Sequence, residues 1–300
     1  MSATTAADRR YSIKGAVFEA ERLAPGLHVT STPIGHLADI SLRAVNALAA
    51  ADEILCEDTR VTGKLLQRYG ISTRLVPYHD HNAAKLRPRI LAELAAGKAL
   101  VLVSDAGTPL VSDPGFKLAR AVIEAGLPLH VIPGASAPLA ALALSGLPSD
   151  RFMFAGFLPE KQGERRRLLA SLKTVPATLI FFESPRRIEA ALADITEMLG
   201  PRPVAVTREL TKLYEEALRG SAPEVAALLA SREAIKGEIT LVVSPPLDEA
   251  PAPEAVDEAL LEAAGHMPAG KAAAEVAHRF GLAKKELYDR LLVLKDKKAQ

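Results

Sequence analysis

Three short turns rich in glycine and proline carry residue types that can hold a small ligand. They are TPIGHLAD at 32–39, SDAGTP at 104–109 and PGAS at 133–136, and each follows a short apolar run. Glycine lets the main chain come close to a ligand, and the Asp105 carboxylate can accept hydrogen bonds from ribose hydroxyls or an α-ammonium group. One such turn is an ordinary connector. Three at one edge of a parallel sheet indicate a pocket for a nucleoside-like ligand.

Acidic and basic side chains follow other apolar runs. EDTR at 57–60 places Asp58 either as the cap of a solvated helix or toward a substrate, and both interpretations stay open. FFESPRR at 181–187 and TRELTK at 207–212 again put charged residues where an apolar run ends. ERRR at 164–167 is a basic cluster that suits phosphate groups, although such a run is also typical of a solvated helix face.

Alternating strand-like and helix-like segments must position these residues. Between residues 27 and 148 the pattern predicts a largely parallel sheet, with strands at 27–30, 54–57, 74–77, 100–104 and 129–132. Helices are predicted between them at 41–51, 62–69, 83–96, 116–125 and 137–145. Residues 149–245 form a predicted second α/β domain, with strands at 152–157, 178–183, 204–208 and 239–244 and helices at 165–172, 188–199 and 223–230.

The remaining segments lie at the two ends of the chain. Residues 1–26 interleave charged and apolar residues without a continuous apolar core, so we expect an N-terminal extension and no signal peptide. Residues 246–253 are proline-rich and polar, which is typical of a linker. Residues 254–300 are predicted to be helical throughout.

The composition is that of an ordinary globular protein. Of the 300 residues, 49% are hydrophobic and 24% are charged, and the formal net charge of +1 means that nucleic-acid binding must come from local patches. A single cysteine, Cys56, excludes an intramolecular disulfide and a cysteine-based metal cluster and fits a reducing compartment. No segment approaches the roughly twenty apolar residues of a membrane span. We therefore expect a cytoplasmic protein without a metal site.

In their order, the motifs resemble those of the ribosomal RNA small subunit methyltransferase I family, which comprises ribose 2′-O-methylases of the tetrapyrrole-methylase-like superfamily. The resemblance runs from about residue 27 to 244 through TPIGHLADIS, EDTR, SDAGTPLVSDPG, PGAS, GFLP, ESPRR, RELTK and KGEITLVV. It implies two α/β domains of tetrapyrrole-methylase type with S-adenosylmethionine bound in the cleft between them. It also implies a homodimer that methylates the 2′-hydroxyl of the decoding-centre cytidine 1402 in 16S rRNA of the small ribosomal subunit.

The resemblance assigns roles to individual residues. Cofactor contacts are implied at Pro33, Gly35, Asp105, Gly107, Thr108, Ser136 and Ala137, with Glu183 nearby. The protein would align the ribose oxygen for an in-line displacement, exclude water and supply a general base. The candidates for that base are Asp58 and Glu183, and the sequence does not choose between them. The expected RNA or substrate contacts are Arg60, Arg165, Arg166, Arg187, Arg208, Lys212, Lys284 and Lys285.

The helical tail has the spacing of a helix-turn-helix, with helices at 271–280 and 282–292 around Gly281. Its predicted apolar seam comprises Ala274, Val276, Ala277, Leu282, Leu287 and Leu291. The residues left on or near the outer surface are Lys284, Lys285, Tyr288 and Arg290. From Lys271 onward there are eight basic residues against four acids. This local positive charge predicts a module that docks RNA, and a hairpin that serves only packing or dimerisation is the alternative.

Five positions depart from the family pattern, namely His36, Ala83, Ala135, Arg186 and Tyr214. Two of them, Arg186 and Tyr214, stand where the pattern has histidine, which puts a catalytic histidine at these sites in doubt. Two other functions stay open on the same residues. One is methylation of a tetrapyrrole or another small acceptor, because a fold does not fix a function. The other is a non-enzymatic ligand sensor that binds nucleic acid, and methyl transfer to small-subunit RNA would distinguish an enzyme from it.

Overall fold

The computed structural model describes residues 9–112, 115–232, 234–246 and 253–298. Most of the predicted linker at 246–253 lies outside the described residues, and so do Asp113 and Pro114 of the SDAGTPLVSDPG motif. The chain divides between Pro245 and Pro246 into two compact units, here called the α/β unit and the C-terminal unit. Within the described residues, no helix is both long enough and apolar enough to span a membrane.

A β-hairpin begins the α/β unit. Its strands are β1 Arg10–Ile13 and β2 Ala16–Glu19. Lys14 and Gly15 between them have φ angles of 50° and 88°, as a two-residue type I′ turn requires. Tyr11 stacks on Phe18 with 5.5 Å between ring centroids, and Tyr11 and Ile13 pack against a core of the first sheet. The predicted N-terminal extension therefore contains an ordered hairpin.

The first sheet is parallel and has helices between its strands. Its strands are β3 Gly26–Thr30, β4 Glu53–Cys56, β5 Leu75–Pro77, β6 Ala99–Leu102 and β7 Leu129–Ile132. Its helices are α1 Leu42–Ala50, α2 Thr59–Arg68, α3 Asp80–Ala95, α4 Phe116–Glu124 and α5 Ala137–Ser145. In the order β5-β4-β6-β3-β7, strands β3, β4 and β6 are wholly buried because helices cover both faces. The predicted parallel sheet is confirmed, and the turns after β3, β6 and β7 meet at one edge.

The second sheet is mixed. Its strands are β8 Phe152–Phe157, β9 Thr178–Glu183, β10 Pro203–Arg208, β11 Glu216–Ser221 and β12 Ile239–Val243. Its helices are α6 Gln162–Leu172, α7 Ile188–Leu199 and α8 Ala222–Ala230. In the order β11-β10-β12-β9-β8, β8 and β9 run parallel and the other described pairs are antiparallel. The sequence does not predict β11, because this edge strand is half-buried and lacks alternating apolar residues.

Helix α5 joins the cores of the two sheets. Its sequence, APLAALALS, is apolar on nearly all sides, and it buries Pro138, Ala141 and Leu142 whereas Leu139 on another side is 52% exposed. Ala141 and Leu142 are buried in one cluster with Ile180, Ala205 and Val242 of the second sheet. The PGAS turn, which leads into α5, therefore lies where the two sheets meet.

The C-terminal unit is a three-helix module. Its helices are α9 Pro253–His266, α10 Ala269–Phe280 and α11 Lys284–Lys298. Helix α10 ends at Gly281, whose φ of 67° is left-handed, and this turn confirms the predicted helix-turn-helix. Three residues of the predicted seam are fully buried, namely Val276, Leu287 and Leu291. The prediction of Ala274 in that seam is wrong, because Ala273 takes the core position beside Leu260 of α9.

Candidate active site

A cavity of about 390 Å³ lies where the turns of the first sheet face the second sheet. Most of the predicted cofactor contacts line it from the first sheet, namely Asp105, Gly107, Thr108, Ser136 and Ala137. Glu183 lines it from the end of β9 in the second sheet. The structure thus brings the turns after β6 and β7 to the same cavity as Glu183, one of the two candidates for the general base.

Other lining residues are ones that the sequence analysis missed. They are chiefly apolar or small, and they include Ile34, Val111, Ser112, Phe157, Phe182 and the segment 237–240. The available signal was their place in motifs, because Phe157 belongs to GFLP and 237–240 belongs to KGEIT. Apolar walls with a few polar groups are typical of sites for small molecules.

Hydrogen bonds hold the turns after β3 and β6 against each other. The backbone N–H of Thr32 donates to the carbonyl of Gly107 at 2.8 Å, and the N–H of Gly107 donates back to Thr32 at 3.2 Å. The hydroxyls of Ser31 and Thr108 are 2.9 Å apart. Asp105 accepts the backbone N–H of Asp58 through Oδ1 at 3.0 Å, and no such bond occupies its Oδ2 among the described residues. The turns therefore form one braced wall that leaves an oxygen of Asp105 available.

The turn after β3 contacts the RELTK loop at Gly35. A Cβ atom at Gly35 would stand 2.6 Å from Cγ of Lys212, 2.7 Å from Oγ1 of Thr211 and 2.9 Å from the carbonyl of Leu210. The N–H of His36 donates to the Thr211 hydroxyl at 3.0 Å. Of the predicted contacts in this turn, neither Pro33 nor Gly35 is among the residues that line the cavity, whereas Ile34 between them does.

Glu183 ends β9 with a carboxylate that has no exposed surface. Its Oε1 accepts the N–H of Ser184 at 2.6 Å and pairs with Arg187 at 2.7 Å. Its Oε2 is buried and has no hydrogen-bond partner among the described residues. Burial raises the pKa of Glu183, because loss of water disfavours the charged form more than Ser184 and Arg187 favour it. A raised pKa and an unpartnered oxygen suit a general base.

Asp58 occupies a different environment. It caps α2, since its Oδ1 accepts the N–H of Arg60 at 2.8 Å, and its carboxylate pairs with the guanidinium of Arg60 at 2.6 Å. The hydrogen bonds from Arg60 lower the pKa of Asp58 to about 2. Asp58 is not among the described residues that line the cavity. Of the two interpretations that the sequence leaves open, the structure supports the helix cap.

Two motif loops carry backbone strain next to the cavity. Leu110 and Ser112 in SDAGTPLVSDPG have φ angles of 73° and 61°, and Glu209 and Thr211 in RELTK have φ angles of 51° and 62°. Left-handed conformations are uncommon outside glycine and persist where the surroundings hold them, often at functional sites. Both loops reach the cavity, through Ser112 and Leu210.

Comparisons with known proteins match both units. The Tetrapyrrole (Corrin/Porphyrin) Methylases family matches residues 26–226, and the RsmI C-terminal HTH domain matches residues 249–295. The ribosomal RNA small subunit methyltransferase I of Mesorhizobium japonicum is 52% identical over 278 residues, which cover 92% of this chain and 95% of that protein. Its counterpart in Erythrobacter litoralis is 51% identical over 278 residues, which cover 92% and 98%. The chain belongs to the ribosomal RNA small subunit methyltransferase I family.

Membership of this family makes the chain an S-adenosylmethionine-dependent methyltransferase. Solved structures share the two-sheet fold. The uroporphyrin-III C-methyltransferase from Thermus thermophilus complexed with S-adenyl homocysteine has a TM-score of 0.51 and 19% identity, and the match covers 72% of this chain and 96% of that one. The predicted fold class is confirmed.

Two arginines that were expected to contact RNA in this methyltransferase are bound to acids between helices α6 and α7. Arg165 is only 4% exposed and pairs with Asp194 at 2.6 Å. Arg166 pairs with Asp194 at 2.7 Å and with Glu197 at 2.6 Å. The structure removes Arg165 from the RNA-contacting set, because its position on α6 turns it inward against α7.

Three further predicted cations also form ion pairs within the α/β unit. They are Arg187, Arg208 and Lys212. Arg187 pairs with Glu183 at 2.7 Å, and Arg208 pairs with Glu216 at 2.5 Å. Lys212 pairs with Glu209 at 2.9 Å and with Glu238 at 3.1 Å. Arg60, which pairs with Asp58, keeps a side chain that is 86% exposed. Arg60 is therefore the most accessible cation among itself and these three.

The predicted cations of the C-terminal unit are accessible. Lys284 and Lys285 lie exposed in the first turn of α11, and none of the ion pairs found among the described residues involves them. Arg290 instead donates to Asp257 of α9 at 2.5 Å and to the carbonyl of Pro253 at 3.0 Å. Arg290 therefore holds α9 and α11 together.

Proposed function

We propose that this chain uses S-adenosylmethionine to methylate the 2′-hydroxyl of a cytidine in 16S rRNA, the decoding-centre cytidine 1402, and that it acts in the cytoplasm as a homodimer. The observation that carries the proposal is the cavity between the two sheets, which has glycine-rich turns on one wall and a buried carboxylate on the other. Membership of the ribosomal RNA small subunit methyltransferase I family supports small-subunit rRNA as the substrate and disfavours a tetrapyrrole.

The cavity suits S-adenosylmethionine in its size and in the groups it offers. Its volume of about 390 Å³ lies within the range of sites for small ligands. Gly107 has a φ of 83°, and a Cβ there would stand 3.2 Å from Ile34, so a larger residue would strain the turn and narrow the cradle. Asp105 would accept hydrogen bonds from a ribose hydroxyl or the α-ammonium group, with Ser136 and Ala137 beside it.

The chain supplies a proton acceptor on the opposite wall. S-adenosylmethionine, when bound, supplies an activated methyl group. We assign the acceptor to Oε2 of Glu183, which takes the proton that the ribose 2′-hydroxyl loses. Its raised pKa brings its proton affinity closer to neutral pH, where a general base is most effective. Asp58 is the weaker base because Arg60 lowers its pKa to about 2.

The experiment that tests this function maps ribose methylation in small-subunit RNA from cells with and without the protein. We expect one 2′-O-methylcytidine to disappear without the protein and to return when purified protein and labelled S-adenosylmethionine are added to small subunits. An unchanged methylation map, or transfer to a tetrapyrrole with none to small subunits, would reject the proposal.

A variant pair tests the cofactor wall. We expect Asp105→Ala to weaken S-adenosylmethionine binding about tenfold or more in calorimetry, because a charged hydrogen-bond acceptor is lost. The control is Asp150→Ala, which removes an exposed aspartate ahead of β8. Equal affinities in both variants would remove Asp105 from the cofactor site.

A further inference from the structure

Arg187, the last residue of the ESPRR motif, stands at the start of α7 and reaches back to the end of β9. Its Nη2 lies 2.7 Å from Oε1 of Glu183, and its Nε donates to the hydroxyl of Ser184 at 3.1 Å. The N–H of Ser184 donates to the same Oε1 at 2.6 Å. Oε1 is therefore held from two sides, while Oε2 stays without a partner among the described residues.

The same guanidinium also contacts the GFLP turn. Its Nη1 donates to the carbonyl of Leu158 at 3.4 Å and lies 3.8 Å from the carboxylate of Glu160. The N–H of Leu158 donates to the carbonyl of Phe182 at 3.2 Å. Phe157 and Phe182 both line the cavity. Arg187 thus ties the turn after β8 to the turn after β9 on the cavity wall that carries Glu183.

We propose that Arg187 is the positioning residue for Glu183: it holds one carboxylate oxygen so that the other is presented for proton transfer. This inference rests on the proposed function, in which Glu183 is the base. Arg187 is mostly buried, and each of its nitrogens has an acceptor. Its neighbour Arg186 is exposed, so the motif separates an inward arginine from an outward one.

The charges around Glu183 define how Arg187 acts on it. The cations that favour its charged form are Arg187 and Arg165, and the latter is itself paired with Asp194. The other acids near this wall are Glu160, which contacts Arg187, and Asp105 and Glu238, which line the cavity. Because burial already raises the pKa of Glu183, loss of the Arg187 charge must raise that pKa further. Less of the carboxylate is then ionised at a given pH.

Substitutions at Arg187 separate its charge from its geometry. Arg187→Gln removes the charge, whereas Arg187→Lys keeps the charge but cannot reproduce the fork that reaches Ser184 and Leu158 together. Arg186→Gln removes an equal charge from the exposed neighbour and is the matched control. Thermal unfolding and calorimetry with S-adenosylmethionine verify that each variant is folded and binds cofactor.

The first measurement is kcat against pH with saturating small subunits. In Arg187→Gln we expect the midpoint of the acid limb, where kcat rises with pH, to shift to higher pH by about one unit or more. At each pH on that limb kcat should then be about tenfold lower, with little change in KM. In Arg187→Lys the limb should return toward its wild-type position while kcat stays reduced. In Arg186→Gln the limb should not move. An unmoved limb in folded Arg187→Gln overturns the proposal.

The second measurement does not depend on activity. Carbon-13 labelling of glutamate carboxyl groups follows the titration of Glu183, whose signal is assigned by its loss in Glu183→Gln. We expect its midpoint to rise in Arg187→Gln and to stay unchanged in Arg186→Gln. Equal midpoints in wild type and Arg187→Gln reject the role of Arg187 even if Glu183 is the base. Full turnover in Glu183→Gln rejects the base assignment of the proposed function, and the titration then still decides whether Arg187 controls this carboxyl.

Discussion

Gly35 lies against the RELTK loop, so the substitution Gly35→Ala, which adds one methyl group, tests how closely the two sheets approach each other there. In Gly35→Ala, the new Cβ would stand 2.6, 2.7 and 2.9 Å from atoms of Lys212, Thr211 and Leu210, where ordinary contacts begin at 3.4 Å. The Lys212 side chain can shift. The carbonyl of Leu210 cannot move alone, and Thr211 is already held at a φ of 62°. The loops must therefore separate, and overpacking of this kind costs about 1–3 kcal/mol.

Calorimetric or circular-dichroism melting measures that cost. We expect Tm to fall by about 2–4 °C for each kcal/mol, and so by several degrees in Gly35→Ala. The control is Gly163→Ala within α6, where nothing lies within 4 Å of the new Cβ. Alanine there should leave Tm unchanged or raise it, because alanine is up to about 1 kcal/mol more favourable than glycine within a helix.

The same variant should also bind S-adenosylmethionine more weakly, because Ile34 next to Gly35 lines the cavity and moves with the turn. A Gly35→Ala protein with wild-type Tm and wild-type affinity would show that the turn accommodates a methyl group. In that case the close approach of the two loops would not define the cavity.

Two further predictions concern the base and the RNA-binding surface. Glu183→Gln should lower kcat by about a hundredfold or more with little loss of cofactor affinity. Asp58→Asn should leave both kcat and the α2 cap nearly unchanged, because asparagine caps a helix about as well as aspartate. Single-turnover methylation and melting measure the two effects, and a large loss of turnover in Asp58→Asn with full turnover in Glu183→Gln would make Asp58 the base. Replacing both Lys284 and Lys285 by Gln should weaken RNA binding and reduce the slope of log affinity against log salt concentration by up to about 2. Replacing both lysines by Arg keeps the charges and should keep the slope. Equal slopes for the Gln variant and wild type would deny these lysines a role in docking.

The sequence predicts well the elements whose signals are local. Strand β7, helix α5 and helix α7 begin and end at the predicted residues. Their apolar spacing is strong, and Gly146 and Gly200 mark the ends of the two helices. The N-terminal hairpin also had a local signal, the Lys14-Gly15 turn between two alternating runs, which the sequence analysis did not use.

The residues of the candidate site also differ in how well the sequence predicts their place. The cavity wall of glycine-rich turns is predictable, because the carboxyl ends of parallel strands share one edge of a sheet. The ion pair that turns Arg165 away from RNA is not predictable, because it joins residues far apart in the chain. Arg165 and Asp194 are 29 residues apart, and nothing in the ERRR run shows which of its arginines faces α7. The choice between Asp58 and Glu183 likewise depends on burial, which only the folded chain determines.

Helix α5 has a consequence for how the enzyme responds to its ligand. It belongs to the first sheet by chain order, yet Ala141 and Leu142 share a buried cluster with strands of the second sheet. Neither sheet can open without exposing that cluster to water, so both should melt in one cooperative transition. Amide hydrogens of β10, a strand with no residue among those that line the cavity, should then exchange more slowly once a ligand occupies the glycine-rich turns. A ligand held in the cavity thereby stabilises a strand that does not line it.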